Sequence, residues 1–183
     1  MRNAEQFSLL LRDIYDAALY PARWADIVTA SQDYIGAFAA SIIVNDDARY
    51  NSGGSGDYGA LEHAYRKVVP LPSMLRISRR IVREAEAISI VAALSRAELD
   101  ETPLFTDWCE PQGVQDVLTY GFIKAPSGSV FLRIGGGAGF AIHRDQGPSS
   151  DAAMQRMHLL MPHMRRAIQI GNAINLRDAE AAT

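Results

Sequence analysis

The stretch Phe38 to Asp46, FAASIIVND, places small and β-branched residues at both odd and even positions. A strand points successive side chains to opposite faces, so a segment that is apolar at both parities needs cover above and below. It therefore belongs inside a sheet. Gly36 bounds it on one side, and the turn-rich DDARYNSGGSGD from Asp46 to Asp57 bounds it on the other and predicts a hairpin.

Helical periodicity supplies cover from both ends of the chain. Phe7, Leu10, Leu11, Ile14, Ala17 and Ala18 recur at helical spacing, with Asn3 as N-cap and Gln6 three residues on. Pro21 suits the first turn of a second helix whose inner face is Trp24, Ile27, Val28, Ser31, Tyr34 and Ile35. At the far end, a long helix from Ser149 or Ser150 carries Met154, Met157, Met161, Met164 and Ile168, and Pro162 should kink it.

Between these ends, Leu61, Ala64, Tyr65 and Val68 mark a helix that Pro70 and Pro72 stop, and Ser73 caps another bearing Met74, Ile77, Ile81, Val82 and Ala85. A β-prone run follows from Ile88 to Val91. Ser95 to Glu98 is a capping-box pattern, and Thr102–Pro103 starts a short helix on which Leu104, Phe105 and Trp108 share a face until Pro111 and Gly113 end it. Val117–Lys124, Val130–Ile134 and Phe140–Arg144 are strand candidates joined by turns too short for a crossover helix, which predicts an antiparallel meander. The expectation is one α+β domain over residues 1–183, with an antiparallel sheet of about five to six strands and the N- and C-terminal helices packed on one face.

A chain of 183 residues suits a single core that buries about 70% of the unfolded surface. A net charge of −3 gives no basic surface for nucleic-acid phosphates, and Arg79–Arg80 and Arg165–Arg166 read as solvated faces of apolar-periodic helices. Arg12, Asp13 and Asp16 interrupt the first apolar patch, which excludes a signal-peptide core there, and no apolar run approaches the ~20 residues of a bilayer crossing. The single Cys109 forms no internal disulfide and fits a reducing, cytoplasmic setting.

Catalytic patterns are missing from the spacing. His63, His143, His158 and His163 include no metal-ligand pair, and His158 and His163 stand about 140° apart on a straight helix. GGGAG at Gly135–Gly139 precedes a strand-like run rather than a helix, so it reads as a hairpin and not a phosphate loop. Cys109 beside Glu110 near a helix C-terminus sits in negative potential that disfavours a thiolate. The sequence calls for no metal, no cofactor and no enzymatic activity.

Three stretches carry a resemblance: GDYGALEHAYRKVVPLPSML (56–75), SRAELDETPLFTDWCEPQGVQDVL (95–118) and LLMPHMRRAIQI (159–170). In order, they resemble the GAF- or PAS-like sensor domain at the amino end of bacterial LuxR-type helix-turn-helix regulators. Ser95, Glu101, Thr102, Phe105 and Pro111–Gly113 match the middle signature, and Leu160, Pro162, His163, Arg165, Arg166 and Ala167 match the closing one. The resemblance implies a cytoplasmic ligand-sensing and dimerisation module of a transcriptional regulator. It also implies a homodimer, an unidentified small-molecule effector, and DNA contact only through a helix-turn-helix domain that these residues do not contain.

Aromatic walls with few polar groups suit a small-molecule pocket. Phe105 and Trp108 are the leading candidates for such a wall, with Tyr65, Met74, Gln112 and Tyr120 as further ligand contacts. The same aromatics also suit a filled core. Met157, Met161, Met164 and Ile168 are candidates for a two-fold helix seam, or else they pack on the sheet. The competing functional expectation is a ligand-free structural dimerisation or protein-interaction module.

Overall fold

The computed structural model describes residues 2–45, 48–53, 85–122 and 137–181. Helix α1 (Arg2–Ala17) is followed by a 3-10 turn (Pro21–Arg23) and α2 (Trp24–Ile35). Strands β1 (Ala39–Asn45) and β2 (Ala48–Gly53) form the expected hairpin. Strand β3 (Ala87–Ser89) leads into α3 (Ile90–Ala93), α4 (Arg96–Asp100), a π-helical turn (Leu104–Cys109) and a 3-10 turn (Glu110–Gln112). Strands β4 (Val114–Gly121) and β5 (Gly137–His143) and the long helix α5 (Ser150–Ala181) complete the fold.

Among the described residues the sheet runs β2-β1-β5-β4-β3, and each neighbouring pair is antiparallel. Strand β1, read as interior from its apolar parities, is flanked by β2 and β5. The α+β class with an antiparallel sheet is as expected. The meander order is not: β4 pairs directly with β5, Leu118 opposite Phe140, so no strand from 130–134 intervenes. That candidate lies outside the described residues, as do the helices read around Tyr65 and Met74 and the pair Arg79–Arg80. The β-prone run also ends early, because Ser89 accepts from the N–H of Ala92 and caps α3, which diverts Ile90 and Val91 into a helix.

One face of the sheet is covered by helices. Ala40, Ile42 and Val44 of β1, Leu118 and Tyr120 of β4, and Ala138, Phe140 and Ile142 of β5 join the inner faces of α1, α2 and α5 in one core. Helices α2 and α5 lie against the strands, and α1 lies across both helices. Gly171 permits this approach, since a Cβ there would stand 3.0 Å from the backbone oxygen of Ala18. Helix α2 ends at Gly36 (φ 80°), and the Arg156 guanidinium of α5 donates to the free carbonyls of Tyr34 and Ile35 at 3.3 and 3.1 Å.

The methionine stripe belongs to this core. Met157, Met161 and Met164 are fully buried and Ile168 is 1% exposed within the single chain. Their face is filled by the sheet and the neighbouring helices, so it is not open to a second subunit, which corrects the seam expected there. Helix α5 continues through Pro162, an exposed residue whose missing N–H leaves the carbonyl of His158 on the solvent side of the helix. Asn3 lies inside α1 rather than at its cap.

Candidate functional site

The opposite face of the sheet is built from the alternate residues of the same strands. In register, Ser41, Gly139 and Thr119 form one row across β1, β5 and β4, and Ala39, Ala141 and Val117 form the next. The helix-facing row between them, Ala40, Phe140 and Leu118, is fully covered. The Ser41–Gly139–Thr119 row is half-buried, and among the described residues a Cβ at Gly139 would meet no atom within 4 Å. Among the described residues these small side chains form a shallow floor at mid-sheet.

At one end of that floor the insertion between β3 and β4 folds down as a wall. Ser95 and Glu98 form the reciprocal capping box anticipated for α4, and the Thr102 hydroxyl donates to the Glu98 carbonyl at 2.7 Å. The next turn is π-helical, with the N–H of Glu110 reaching back five residues to the Phe105 carbonyl. Gly113, at φ 74°, then releases the chain into β4. This turn lays Phe105 (5% exposed), Trp108 (7%) and Cys109 (0%) against Ala39, Val117 and Ala141, together with Ile90, Leu94, Leu99 and Val114.

Sequence reasoning missed the polar anchor of this wall. Asp116 is buried, and its carboxylate accepts from the Ser89 hydroxyl at 2.8 Å and the Val91 N–H at 3.3 Å. A bulge between Val114 and Asp116 sets this up by shifting β4 one residue against β5. The signal was present as a charged residue inside an otherwise apolar strand run, where burial demands partners. Burial, reinforced by Asp116 and Glu110, pushes the Cys109 thiol from 9.0 up to about 12, so it stays protonated and unreactive.

The expected ligand contacts do not all converge. Phe105 and Trp108 meet in the wall. Gln112 lies beside them, but its side-chain amide donates to the Trp108 carbonyl at 3.2 Å and so braces the turn. Tyr120 is placed on the other face of the sheet, in the helix-side core, with its ring 5.8 Å from that of Phe122. Burial raises its phenol, Arg165 partly opposing. Strand parity separates it from Trp108, so the two do not line one cavity. Tyr65 and Met74 lie outside the described residues.

A small cavity of about 50 Å³ opens on the helix side, lined by Trp24, Val44, Tyr50, Ile168 and Asn172 among others. It has room for about one water-sized guest and lies apart from the aromatic wall. Among the described residues no group of three His, Cys, Asp or Glu side chains is placed to hold a metal ion, and no helix is long and apolar enough to cross a membrane. Comparison with protein-family models, curated proteins and solved structures finds no match to the chain.

Proposed function

We propose that the chain is a ligand-sensing regulatory domain of the GAF- or PAS-like kind, acting by binding and coupling within a cytoplasmic LuxR-type transcriptional regulator. One observation carries the reading: the two faces of one sheet are built unequally. The face toward the helices is filled by Ile42, Leu118 and Phe140, whereas the other face is floored by Ser41, Gly139 and Thr119 and walled by Phe105 and Trp108. An antiparallel sheet commonly leaves one face to solvent, and what supports the reading is that this face carries small hydroxyl-bearing and glycine positions beside a packed aromatic wall rather than long solvated side chains. The Ser41 hydroxyl and the Thr119 hydroxyl, which donates to the Ile88 carbonyl at 3.4 Å and keeps its oxygen as an acceptor, suit a small effector with a few polar atoms beside the apolar wall. The three stretches of sequence resemblance, in the same chain order, support the same assignment.

Occupancy of the floor acts on the output only if it favours one placement of α5 over another. The homodimer that such a regulator needs then uses the outer faces of α1 and α5, where Leu9 (47% exposed), Leu159 (57%) and Leu176 (62%) stand in solvent. The test is native mass spectrometry of protein purified from its own cells, compared with its denatured mass. A released small mass that is absent from folded Gly139→Leu, whose side chain occupies the floor, supports the reading. An adduct retained by Gly139→Leu, or none even after the protein is screened against a metabolite extract, overturns it.

A further inference from the structure

The loop from β5 into α5 is held by one imidazole. The Nδ1 atom of His143 accepts hydrogen bonds from the backbone N–H groups of Asp145 and Gln146 at 3.0 and 3.1 Å. A neutral imidazole has a single acceptor nitrogen, so these bonds assign the proton to Nε2. The ring is fixed against Phe38, centroids 5.4 Å apart, and over Gly113, where a Cβ would come within 2.8 Å of Nε2. The Arg144 N–H adds a 2.9 Å bond to the Gly113 carbonyl. Immediately beyond, Gly147 (φ 118°) comes so close to the end of α2 that a Cβ would lie 2.6 Å from the Gly36 oxygen. Pro148 also packs against Gly36, and Arg156 of α5 caps the same helix end. Gly147 and Pro148, which seat the start of α5 against the end of α2, thus come immediately after a loop tied to His143.

We infer that His143 is a proton-sensitive latch on the β5–α5 connection. As the neutral imidazole, it folds residues 144–147 onto the end of α2. As imidazolium, both ring nitrogens are donors, so the N–H groups of Asp145 and Gln146 face a third N–H and lose their acceptor together. The loop then loosens at the point where the sheet hands the chain to the long helix. Among the described residues the groups packed on the ring, Phe38 and Gly113, do not ionise. Charges nearby in the fold are Arg144 and Asp145 of the loop itself, Glu110, which is paired with Arg96, Asp116, which is bonded to Ser89 and Val91, and Arg156, which is bonded to α2. His143 stands beside the aromatic wall, its ring against Phe38 and over Gly113, and the latch operates on protonation whether or not the floor holds an effector.

The experiment is a pH series of ¹H–¹⁵N NMR spectra over roughly pH 5 to 8, the range in which histidine side chains change charge. It follows the His143 ring together with the amides of Asp145 and Gln146. The expected result is that both amides shift and lose exchange protection with the same midpoint as the ring. His143→Asn, whose Oδ1 accepts in place of Nδ1 without taking up a proton, should keep both amides protected at the acid end. Amides that stay unchanged while the ring titrates overturn the inference, as does an Asn variant with the wild-type response. If that variant does not fold, the correlation in the natural protein decides alone.

Discussion

Adjacent residues on β5 offer the sharpest test of the unequal faces. Phe140 is fully buried under the helices, and Phe→Ala at such a site costs about 3–5 kcal/mol through lost transfer energy and the cavity left behind. For a chain of this size each kcal/mol moves Tm by about 2–4 °C, so Phe140→Ala should melt roughly 6–20 °C lower. Gly139, one residue away, points to the other face. It lies outside the positive-φ region, and among the described residues an added Cβ meets nothing within 4 Å. Gly139→Ala thus adds no clash and restricts only the unfolded chain, a gain of about 0.4–1 kcal/mol, or about 1–4 °C. Thermal melts by circular dichroism, checked by urea midpoints at constant slope, measure both variants. A fall of several degrees for Gly139→Ala would mean that the floor is already filled and is no ligand face.

Three further outcomes follow from the packing. Met161→Ala should lose about 2–5 kcal/mol because Met161 is fully buried, while the mass measured by light scattering stays that of the natural protein; a change of mass without loss of stability would return Met161 to a subunit seam. Cys109 should resist a disulfide-exchange reagent until the chain unfolds. Its folded thiol is raised from 9.0 to about 12, so above pH 9 the unfolded chain releases a proton that the folded chain holds. Stability should therefore fall as pH climbs from 9 towards 12, and Cys109→Ala should lack that part of the slope. Ser95→Ala removes the hydroxyl half of the capping box on α4, leaving the backbone N–H on the Glu98 carboxylate, and should cost about 1 kcal/mol by urea denaturation; no loss would show that α4 is held without the hydroxyl cap.

Local signals were the legible ones. The interior position of β1 followed from apolar residues at both parities, the end of α2 from Gly36, and the capping box at Ser95 from spacing. All three depend on residues within a turn or two of each other. Long-range pairing was less legible. Short connections after β4 pointed to a meander, yet β4 pairs with β5 directly, because the register is decided by which faces bury Leu118 and Phe140. The aromatic wall was half visible. Phe105 and Trp108 do come together, but which face of the sheet Tyr120 joins depends on strand parity through a bulge at Val114–Asp116, which no spacing rule reveals. The methionine stripe was visible as a stripe, although periodicity alone does not say whether a buried face meets its own sheet or a second chain.

The closing motif of the resemblance acquires a physical meaning from the contacts of α5. Leu160 and Ala167 are fully buried in the helix-side core. His163 lies 3.1 Å from the Tyr15 hydroxyl and edge-on to Phe7, which ties α5 to α1. Arg165 donates to the Phe122 carbonyl at 2.8 Å, just beyond the end of β4. The motif residues that pack inward therefore dock α5 onto α1 and onto the end of β4, while Arg166 remains exposed. With Arg156 on the end of α2 and His143 holding the preceding loop, α5 is fastened at the end of β4, at the end of β5, at α2 and, through His163, at α1. Strands β4 and β5 are also the ones that supply Thr119 and Gly139 to the half-buried floor. Under the proposed function, a guest that spreads or tightens those two strands would act on α5 through two of its four fastenings, the kind of differential contact that coupling between a sheet face and a helix requires.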